Sequence, residues 1–439
     1  MSMRLLLSSL LAALTMAAAA GPAAAQISLP GGGLPQTPRL PGLPVDPGAL
    51  EGTARDGLQR GLQAPARLRG LVRQSGGALE ADPTGWPVVR GELVAVDLSP
   101  EGRRRALQAG FAVVREERLA ALDMTTTVLA PPRRLSLGRA LERLRDLDPE
   151  GSYAFNHVHA PAGELAEAGS AAAPVSAPQG GRGRMGLIDT GVDASHPAVA
   201  EARIVQRGFA GPARAAPHGT AVASLMVGRS GGFSGAAPGG TLYAADVYGG
   251  STTGGSATAL VQALAWMAEN EAPVVNVSLV GPRNAVVEAA VRRAIGRGML
   301  IVAAVGNDGP SAPPLYPAAY ADVVGVTAVN GRGRVLPEAG RGPQVDFAAP
   351  GADMAAAGPG QGYVNVRGSS FAAPLVAGLL SGRLSGPDRA GAEAAVAGLA
   401  RTATDAGAPG RDPVYGVGIV ATDRRVEPRA VGARGQLSR

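Results

Sequence analysis

The stretch MGLIDTG (residues 185–191) is an apolar run that ends in polar residues, and it sets the pattern for the C-terminal half of the chain. Apolar runs without polar alternation, separated by helix-like segments, follow at 241–247, 273–280, 299–307 and 322–329. Strands of this kind are buried on both faces, as in a parallel sheet covered by helices. The alternation of strands and helices therefore predicts a doubly wound α/β domain, with helices on both faces of a mostly parallel sheet, at 184–425.

A smaller domain is predicted in front of the α/β domain, at 86–160. The segment SPEGRRRALQAG opens with Ser99, continues with proline and glutamate and closes with glycine, which is typical of a capped helix. Together with strand-like runs and a second amphipathic helix, the order of elements is β-α-β-β-α-β, which predicts a ferredoxin-like α+β fold. The Pro- and Gly-rich sequence at 26–85 predicts a linker, with one short arginine-rich helix within 51–85.

The N-terminus predicts export. Residues 1–25 combine an arginine, an apolar run and three terminal alanines, a pattern typical of a signal peptide. A membrane anchor is the alternative, but the apolar run is shorter than the roughly 20 residues that a span requires. We therefore expect a periplasmic or extracellular protein. Residues 161–183 are rich in Ala, Gly and Pro and predict an exposed linker with a processing site, and 426–439 is assigned as a tail.

The composition excludes several classes of protein. The 439 residues contain no cysteine, so disulfide frameworks, thiolate metal sites and cysteine nucleophiles are ruled out. The net charge is +6, but the arginines that carry it are scattered along the sequence. Nucleic-acid binding would concentrate them on one face or along one groove, so we expect no nucleic-acid partner. We assign no metal and no other cofactor, although calcium held by backbone carbonyls would leave no trace in the sequence.

Three polar clusters fall where strands end or helices begin, which is where open α/β sheets bind ligands. They place Asp189 after the first apolar strand, His218 in PHGTAVASL, and the pair Ser369-Ser370 in VRGSSFAAPLVAG. A serine hydroxyl needs a base to act as a nucleophile, histidine has a suitable pKa for that work, and a carboxylate fixes the imidazole tautomer. Acyl transfer also requires donors for the developing oxyanion, and Asn307 in AVGNDG offers one.

Each of these residues, taken singly, has a more ordinary explanation. An aspartate at a strand end is usually a turn residue, and a serine before an apolar run is usually a helix cap. The stretch VRGSSFAAPLVAG (366–378) is expected to begin a helix with Pro374 in its first turn, where no N–H partner is needed. His157 and His159 could share one face of a strand and hold a metal, but no third ligand is evident. We therefore interpret them as ordinary residues of the small domain.

The large domain resembles the subtilisin-like serine proteases, the subtilase family. The segments IDTGVDASHP, HGTAVASLMVG and GSSFAAPLVAG are similar to the family's Asp, His and Ser blocks and follow in the same order. AVGNDG resembles its oxyanion block and NVSLVGP its substrate-binding strand, so the resemblance covers about 185–421. It implies that Asp189 orients His218, that His218 is the general base and acid, and that Ser370 is the nucleophile. It also implies that Ser369 lies beside the nucleophile and that Asn307 holds the oxyanion.

The resemblance implies a set of substrate-binding residues as well. They are Ser278, Leu279, Val280, Gly281 and Leu315. The family often has glycine where this chain has Val280, and Leu315 falls where many members have a small residue at the pocket floor. The two added side chains predict a shallow pocket for P1, the residue before the cleaved bond, and a preference for small P1 residues such as alanine. The Ala-rich sequence at 161–178 would then suit self-cleavage.

The family implies a secreted serine endopeptidase that is made as an inactive precursor. In that precursor the domain at 86–160 would be a propeptide that assists folding and inhibits the site. The expected partners are protein or peptide substrates and the propeptide itself, with no membrane span and a monomeric enzyme. Three alternatives stay open: an unrelated binding domain at 86–160, a catalytically silent binding protein on the same fold, and a basic protein that binds nucleic acid or another surface.

Overall fold

The computed structural model describes residues 66–161 and 183–438 of the chain. The predicted signal peptide, the predicted linker up to residue 65 and most of the predicted processing linker lie outside these residues. Within the described ranges, no helix is both long enough and apolar enough to cross a membrane.

The small domain is an antiparallel sheet with two helices packed on one face. Its elements are α1 (66–74), β1 (Leu79–Ala81), β2 (Pro87–Val96), α2 (Pro100–Gln108), β3 (Ala112–Leu119), β4 (Met124–Ala130), α3 (Leu137–Leu147) and β5 (Ser152–His157). The central strand β2 pairs with β4 and β5, and β3 pairs with β4. The predicted order β-α-β-β-α-β is therefore confirmed from β2 to β5.

Local sequence determines where these elements begin. The helix α2 starts as predicted, because the side chain of Ser99 accepts a hydrogen bond of 2.9 Å from the N–H of Gly102. The helix α1 and the strand β1 lie inside the predicted linker at 26–85, so this part of that segment is folded, with Leu79 paired to Val89 of β2. The limits of the domains themselves stay predictions.

The large domain alternates strands and helices along the chain. Its elements are β6 (Ala160–Pro161), β7 (Arg184–Asp189), β8 (Arg203–Gly208), α4 (Pro217–Val227), β9 (Arg229–Ser230), β10 (Phe233–Ser234), β11 (Thr241–Asp246), α5 (Ala257–Glu269), β12 (Val274–Val277), β13 (Leu279–Val280), α6 (Ala285–Gly296), β14 (Leu300–Ala304), β15 (Val324–Val329), β16 (Phe347–Pro350), β17 (Ala352–Ala357), β18 (Tyr363–Arg367), α7 (Ser369–Ser381), α8 (Arg389–Ala400) and β19 (Gln436–Ser438). The last strand lies in the predicted tail and pairs with β18.

Seven of these strands form one parallel sheet in the order β16-β15-β14-β12-β7-β11-β8. The strands β12, β14 and β15 are buried along their whole length, as their continuous apolar sequences predict. Because parallel strands point the same way, their carboxyl ends share one edge of the sheet. That edge is where this architecture binds ligands.

Helices cover both faces of the sheet. Successive residues of a strand point to opposite faces, and β7 illustrates this alternation. Leu187 packs in the apolar cluster that contains α4 and α7, whereas Ile188 packs in the cluster that contains α5 and α6. The predicted doubly wound α/β fold, preceded by a small α+β domain, is therefore confirmed.

The small domain packs its free sheet face on α5 and α6. Val94 and Met124, on the face opposite α2 and α3, share an apolar cluster with Leu260 of α5 and Val291 of α6. The end of α6 adds a polar contact, because the guanidinium of Arg293 forms an ion pair with an aspartate that follows β2. The contact buries apolar side chains of the small sheet against α5 and α6, so the two domains share a core.

Candidate active site

Asp189 and His218 form a buried pair at the carboxyl end of the sheet. Asp189 is the last residue of β7, and His218 is the second residue of α4. The Nδ1 atom of His218 lies 2.8 Å from Oδ1 of Asp189, and both side chains are fully buried. A carboxylate that accepts the Nδ1–H of a neutral imidazole leaves Nε2 as the basic nitrogen.

Backbone contacts fix this pair in place. The N–H of Thr190 donates to Oδ1 of Asp189 at 2.6 Å, and Oγ1 of Thr190 accepts from the N–H of Gly219 at 2.8 Å. A β-carbon at Gly219 would lie 2.2 Å from the carbonyl oxygen of Thr190, so only glycine permits this close approach. The end of the strand and the start of the helix are thereby held together, and His218 is held with them.

Ser370 lies near His218, in the first turn of α7. Its hydroxyl and the Nε2 atom of His218 are both buried, and neither has a hydrogen-bond partner among the described residues. The ring of the next residue, Phe371, lies 5.3 Å from the imidazole ring of His218, measured between centroids. The structure thus brings the three predicted residues to one end of the sheet without a hydrogen bond between Ser370 and His218. Such bonds are often long before a substrate is bound.

Pro374 corrects one prediction. Since α7 begins at Ser369, Pro374 lies in the second turn, and the predicted position in the first turn is wrong. An ordinary residue there would donate its N–H to the carbonyl of Ser370, four residues earlier, but proline has no N–H. Ser278 takes over this role, because its hydroxyl donates to the carbonyl oxygen of Ser370 at 3.1 Å. The hydrogen bond from Ser278 replaces the missing helical bond and connects the predicted nucleophile to the segment between β12 and β13.

Ser369 and Asn307 join the start of α7 to the loop after β14. The N–H of Ser369 donates to Oδ1 of Asn307 at 3.0 Å, and the hydroxyl of Ser369 accepts from the N–H of Gly306 at 3.2 Å. Gly368 has a φ of +139°, and a β-carbon there would lie 3.0 Å from Nδ2 of Asn307. Asn307 is thus held beside the start of α7, with an amide whose Nδ2 is the type of donor that an oxyanion requires.

The predicted substrate strand is already paired with another segment of the chain. Leu279 and Val280 form β13, which is antiparallel to β6, with Leu279 opposite Pro161 and Val280 opposite Ala160. The next residue, Gly281, pairs on its other side with Tyr316 through hydrogen bonds of 2.9 and 3.0 Å. The segment that leaves the small domain therefore lies along β13 as an added strand.

Val280 and Leu315 converge beside Asn307. Both side chains are buried, with 3% and 6% of their surface exposed. A β-carbon at Gly306 would lie 2.7 Å from Cδ1 of Leu315 and 3.6 Å from Cγ1 of Val280, so the two side chains border the same glycine. The two residues that we inferred to line the P1 pocket are therefore neighbours in space.

The sequence predicts an ordinary residue of the small domain at His159, but the structure places its ring against Gly281, the residue that follows β13. Its N–H donates to the carbonyl oxygen of Gly255 at 2.7 Å, and the hydroxyl of Tyr248 donates to its own carbonyl oxygen at 2.8 Å. The side chain is fully buried, and neither ring nitrogen has a hydrogen-bond partner within the described part of the chain. Burial lowers the pKa of His159 to about 4. Apart from the alternation in HVHAP, nothing in the sequence indicates that this side chain is buried.

His157 has a different environment from His159. Its Nε2 lies 3.0 Å from Oδ2 of Asp82, and its Nδ1 lies 3.0 Å from Nδ2 of Asn284. Burial raises the pKa of Asp82, but the hydrogen bond with His157 and further bonds to this carboxylate outweigh that effect and hold the pKa below its usual value. His157 is thus an anchor between the small domain and α6. Across residues 66–161 and 183–438, no group of three His, Asp or Glu side chains is arranged to hold a metal ion.

A contact from α1 also reaches the site, and the sequence did not predict it. Nη2 of Arg67 lies 2.9 Å from Oδ1 of Asp308, the residue after Asn307. Arg67 is partly exposed, so this ion pair contributes little to stability. Its position shows that residues upstream of the small sheet lie against the loop that carries Asn307.

Comparisons with known proteins agree with this geometry. A profile described as the Subtilase family matches residues 184–418, which is more than half of the chain. M-protease of Shouchella clausii (strain KSM-K16) is 38% identical over 165 residues, and Subtilisin E of Bacillus subtilis (strain 168) is 33% identical over 209 residues. These matches cover 37% and 44% of this chain and 43% and 53% of the two relatives, so the chain spans about half the length of each.

A solved structure supports the fold over a longer part of the chain. Fervidolysin from Fervidobacterium pennivorans, described as a keratinolytic enzyme related to subtilisin, superposes with a TM-score of 0.62 at 19% sequence identity. The superposition covers 77% of this chain and 61% of fervidolysin. At this identity the likeness concerns the fold alone. With the profile match over the large domain, these findings show that the chain belongs to the subtilase family.

Proposed function

We propose that the protein is a serine endopeptidase that hydrolyses peptide bonds through an acyl-enzyme intermediate. The observation that carries this proposal is the buried Asp189–His218 hydrogen bond beside the turn of α7 that holds Ser370. Membership of the subtilase family agrees with it.

The proposed reaction has two halves. In the first, Oγ of Ser370 attacks the carbonyl carbon of the scissile bond while its proton passes to Nε2 of His218, and His218 then protonates the departing amine as the C–N bond breaks. In the second, water attacks the acyl-enzyme, gives a proton to His218, and Ser370 regains its proton as the ester breaks. Asp189 stays ionised and stabilises the imidazolium that forms in both halves.

The oxyanion of each tetrahedral intermediate needs donors that are in position before the reaction. Asn307 and the N–H of Ser370 are the proposed donors. Asn307 suits this role because its Oδ1 is held by the N–H of Ser369, which limits rotation of the amide. The start of α7 adds a favourable helix dipole at the same place.

We further propose that the protein is exported as a precursor that processes itself. The small domain would act as the propeptide, because the segment that leaves it pairs with β13 as a substrate strand would. A strand in this position blocks the cleft for other peptides. The predicted signal peptide agrees with export and with the names of relatives such as the minor extracellular protease Epr of Bacillus subtilis (strain 168).

A preference for small P1 residues is the finer part of this proposal. Val280 and Leu315 border Gly306 from two sides, next to Asn307. Two branched side chains there leave less room than a wall of glycine would. We therefore expect faster cleavage after alanine than after phenylalanine or leucine.

The test compares the full chain with its Ser370→Ala variant and with Ser381→Ala, a matched control at the far end of the same helix. Wild type and Ser381→Ala should shorten themselves on storage, hydrolyse peptides and react with a fluorophosphonate serine probe. Ser370→Ala should stay at full length and do none of these. Hydrolysis that survives in Ser370→Ala would refute the assignment, and a folded wild type without any of these reactions would indicate a catalytically silent binding protein.

A further inference from the structure

We propose that Glu338 and Arg367 are positioning residues of the active site, and that their ion pair holds the amide of Asn307 where the oxyanion forms. This inference rests on the proposed endopeptidase function and deepens it, because it names two residues on which stabilisation of the transition state depends. We assign neither residue a contact with the substrate, because both act through the main chain of the loop that carries Asn307.

The ion pair is bidentate and largely buried. Nε of Arg367 lies 2.7 Å from Oε1 of Glu338, and Nη2 of Arg367 lies 2.9 Å from Oε2. The side chain of Glu338 is 2% exposed and that of Arg367 is 25% exposed. Two parallel hydrogen bonds fix the relative orientation of the two groups as well as their distance. Solvent and salt screen such a pair much less than an exposed one, so it can connect two segments of backbone firmly.

The segment that contains Glu338, between β15 and β16, holds the Asn307 loop at both ends. The N–H of Gly309 donates to the carbonyl oxygen of Glu338 at 2.8 Å. The N–H of Gly340 donates to the carbonyl oxygen of Gly306 at 3.0 Å. Asn307 therefore lies between two residues that are bonded to the segment of Glu338.

The segment that contains Arg367 holds the same loop through the start of α7. Arg367 is the last residue of β18 and lies two positions before Ser369, the first residue of α7. The N–H of Ser369 donates to the side chain of Asn307, and the hydroxyl of Ser369 accepts from the N–H of Gly306. The ion pair between Arg367 and Glu338 joins the two segments and thereby closes a ring of contacts around Asn307.

This ring of contacts bears on the reaction because an oxyanion needs donors that are already in position. A displacement of about 1 Å at a catalytic group can lower the rate about a hundredfold. Stability alone is a weaker reason for the pair, because well-packed apolar residues often replace a buried ion pair without loss of stability. Loss of the pair should therefore lower kcat through Asn307. KM should change little, since the oxyanion forms only as the reaction proceeds.

The experiment compares processed wild type with Glu338→Gln, Arg367→Lys, Asn307→Ala and the double variant Glu338→Gln/Asn307→Ala. Variants that process too slowly are cut by added affinity-tagged wild type, which is then removed. The matched control is Glu288→Gln, which breaks another bidentate pair, with Arg283 beside the first turn of α6. Peptide hydrolysis gives kcat and KM for each enzyme, and thermal unfolding gives its Tm.

Glu338→Gln should lower kcat at least about tenfold, with KM changed by less than about twofold. Arg367→Lys keeps the charge but loses the second parallel hydrogen bond, so its kcat should fall by less. Asn307→Ala should lower kcat about 10²- to 10³-fold. Adding Glu338→Gln to Asn307→Ala should lower kcat less than about twofold further, because the amide to be positioned is then absent. Glu288→Gln should leave kcat unchanged.

The outcomes separate the inference from the function on which it rests. If hydrolysis requires Ser370 but Glu338→Gln keeps its kcat, or lowers kcat equally with and without Asn307, the positioning role is wrong and the endopeptidase stands. An unchanged kcat in Asn307→Ala would overturn the inference in the same way. Failure of both Glu338→Gln and Arg367→Lys to fold would show that the pair holds the fold, which also overturns the positioning role. If wild type cuts no peptide and Ser370 does not react with a fluorophosphonate, both the function and the inference are wrong.

Discussion

Replacing Gly281 by alanine is the most direct perturbation of the space that the ring of His159 occupies beside β13, which we call the ring subsite. The new β-carbon would lie 2.4 Å from Cδ2 of the imidazole, about 1 Å inside ordinary van der Waals contact. The φ of Gly281 lies outside the left-handed region, so alanine fits the backbone itself. The hydrogen bonds of Gly281 with Tyr316 involve only main-chain atoms and should survive. The substitution therefore changes the wall of the subsite and little else.

The size of the effect follows from that overlap. Inserting one methyl group into a well-packed site typically costs about 1–3 kcal/mol. This corresponds to a loss of roughly 5- to 160-fold in kcat/KM for a peptide that places histidine against Gly281. A peptide with alanine at the same position does not reach the new methyl group, so its kcat/KM should change by less than about twofold.

The assay measures kcat/KM for the two peptides with wild type, Gly281→Ala and a control, Gly296→Ala. Gly296 ends α6, and a β-carbon there meets nothing within 4 Å. The control therefore reports the effect of a Gly→Ala substitution that creates no new contact. The loss in kcat/KM should be confined to the Gly281→Ala enzyme and to the histidine peptide. An equal loss for both peptides would show that Gly281→Ala disturbs β13 itself, and no loss for the histidine peptide would show that the ring does not lie against Gly281.

Further predictions concern the catalytic groups and the pH. Asp189→Asn should lower kcat by about four orders of magnitude with little change in Tm, because the amide no longer stabilises the imidazolium of His218. Ser278→Ala leaves the carbonyl of Ser370 without its donor, so thermal unfolding should show a loss of about 1–3 kcal/mol. Burial lowers the pKa of His159 to about 4, from the usual value of about 6.5. At a pH between these two values, His159 of the released strand binds a proton, whereas His159 of the buried strand does not. The affinity of the cleaved small domain for the enzyme, measured as its inhibition constant in peptide hydrolysis, should therefore fall as the pH drops below 6.5. The loss should be roughly thirtyfold at pH 5 and should level off below pH 4. The variant His159→Phe should lose most of this pH dependence in the same inhibition assay.

The parts of the molecule that could be predicted from sequence are those in which local pattern and burial agree. The continuous apolar runs of β12, β14 and β15 predicted buried parallel strands, and the ends of such strands predicted where Asp189 would lie. His218 and Ser370 followed from helix starts and from the order of the three blocks. In each case the informative signal lies within about ten residues of the functional side chain.

Two features could not be predicted, for different physical reasons. The pairing of β6 with β13 joins residues more than a hundred positions apart, and two-residue strands are too short to show any periodicity. The position of Pro374 within α7 was wrong because both serines of the pair are good helix caps, whereas the actual start depends on Gly368, whose φ of +139° turns the chain into the helix. A glycine in the sequence permits this φ but does not predict it, because glycine adopts positive and negative φ about equally well.

If the precursor processes itself as we propose, the contact of the small domain with the large domain must be strong before the cut and reversible after it. Before the cut, the strand at Ala160–Pro161 belongs to the same chain as β13, with which it pairs, so its effective concentration there is high. After the cut, the small domain is held by its own packing on α5 and α6, by the anchor at His157 and by the buried ring of His159. A fall in pH weakens the contact of the His159 ring directly, because only the neutral ring tolerates burial without a partner. In the proposed precursor, an unpaired imidazole lowers the stability of this contact compared with an apolar ring, and release of the small domain would respond to acid for that reason.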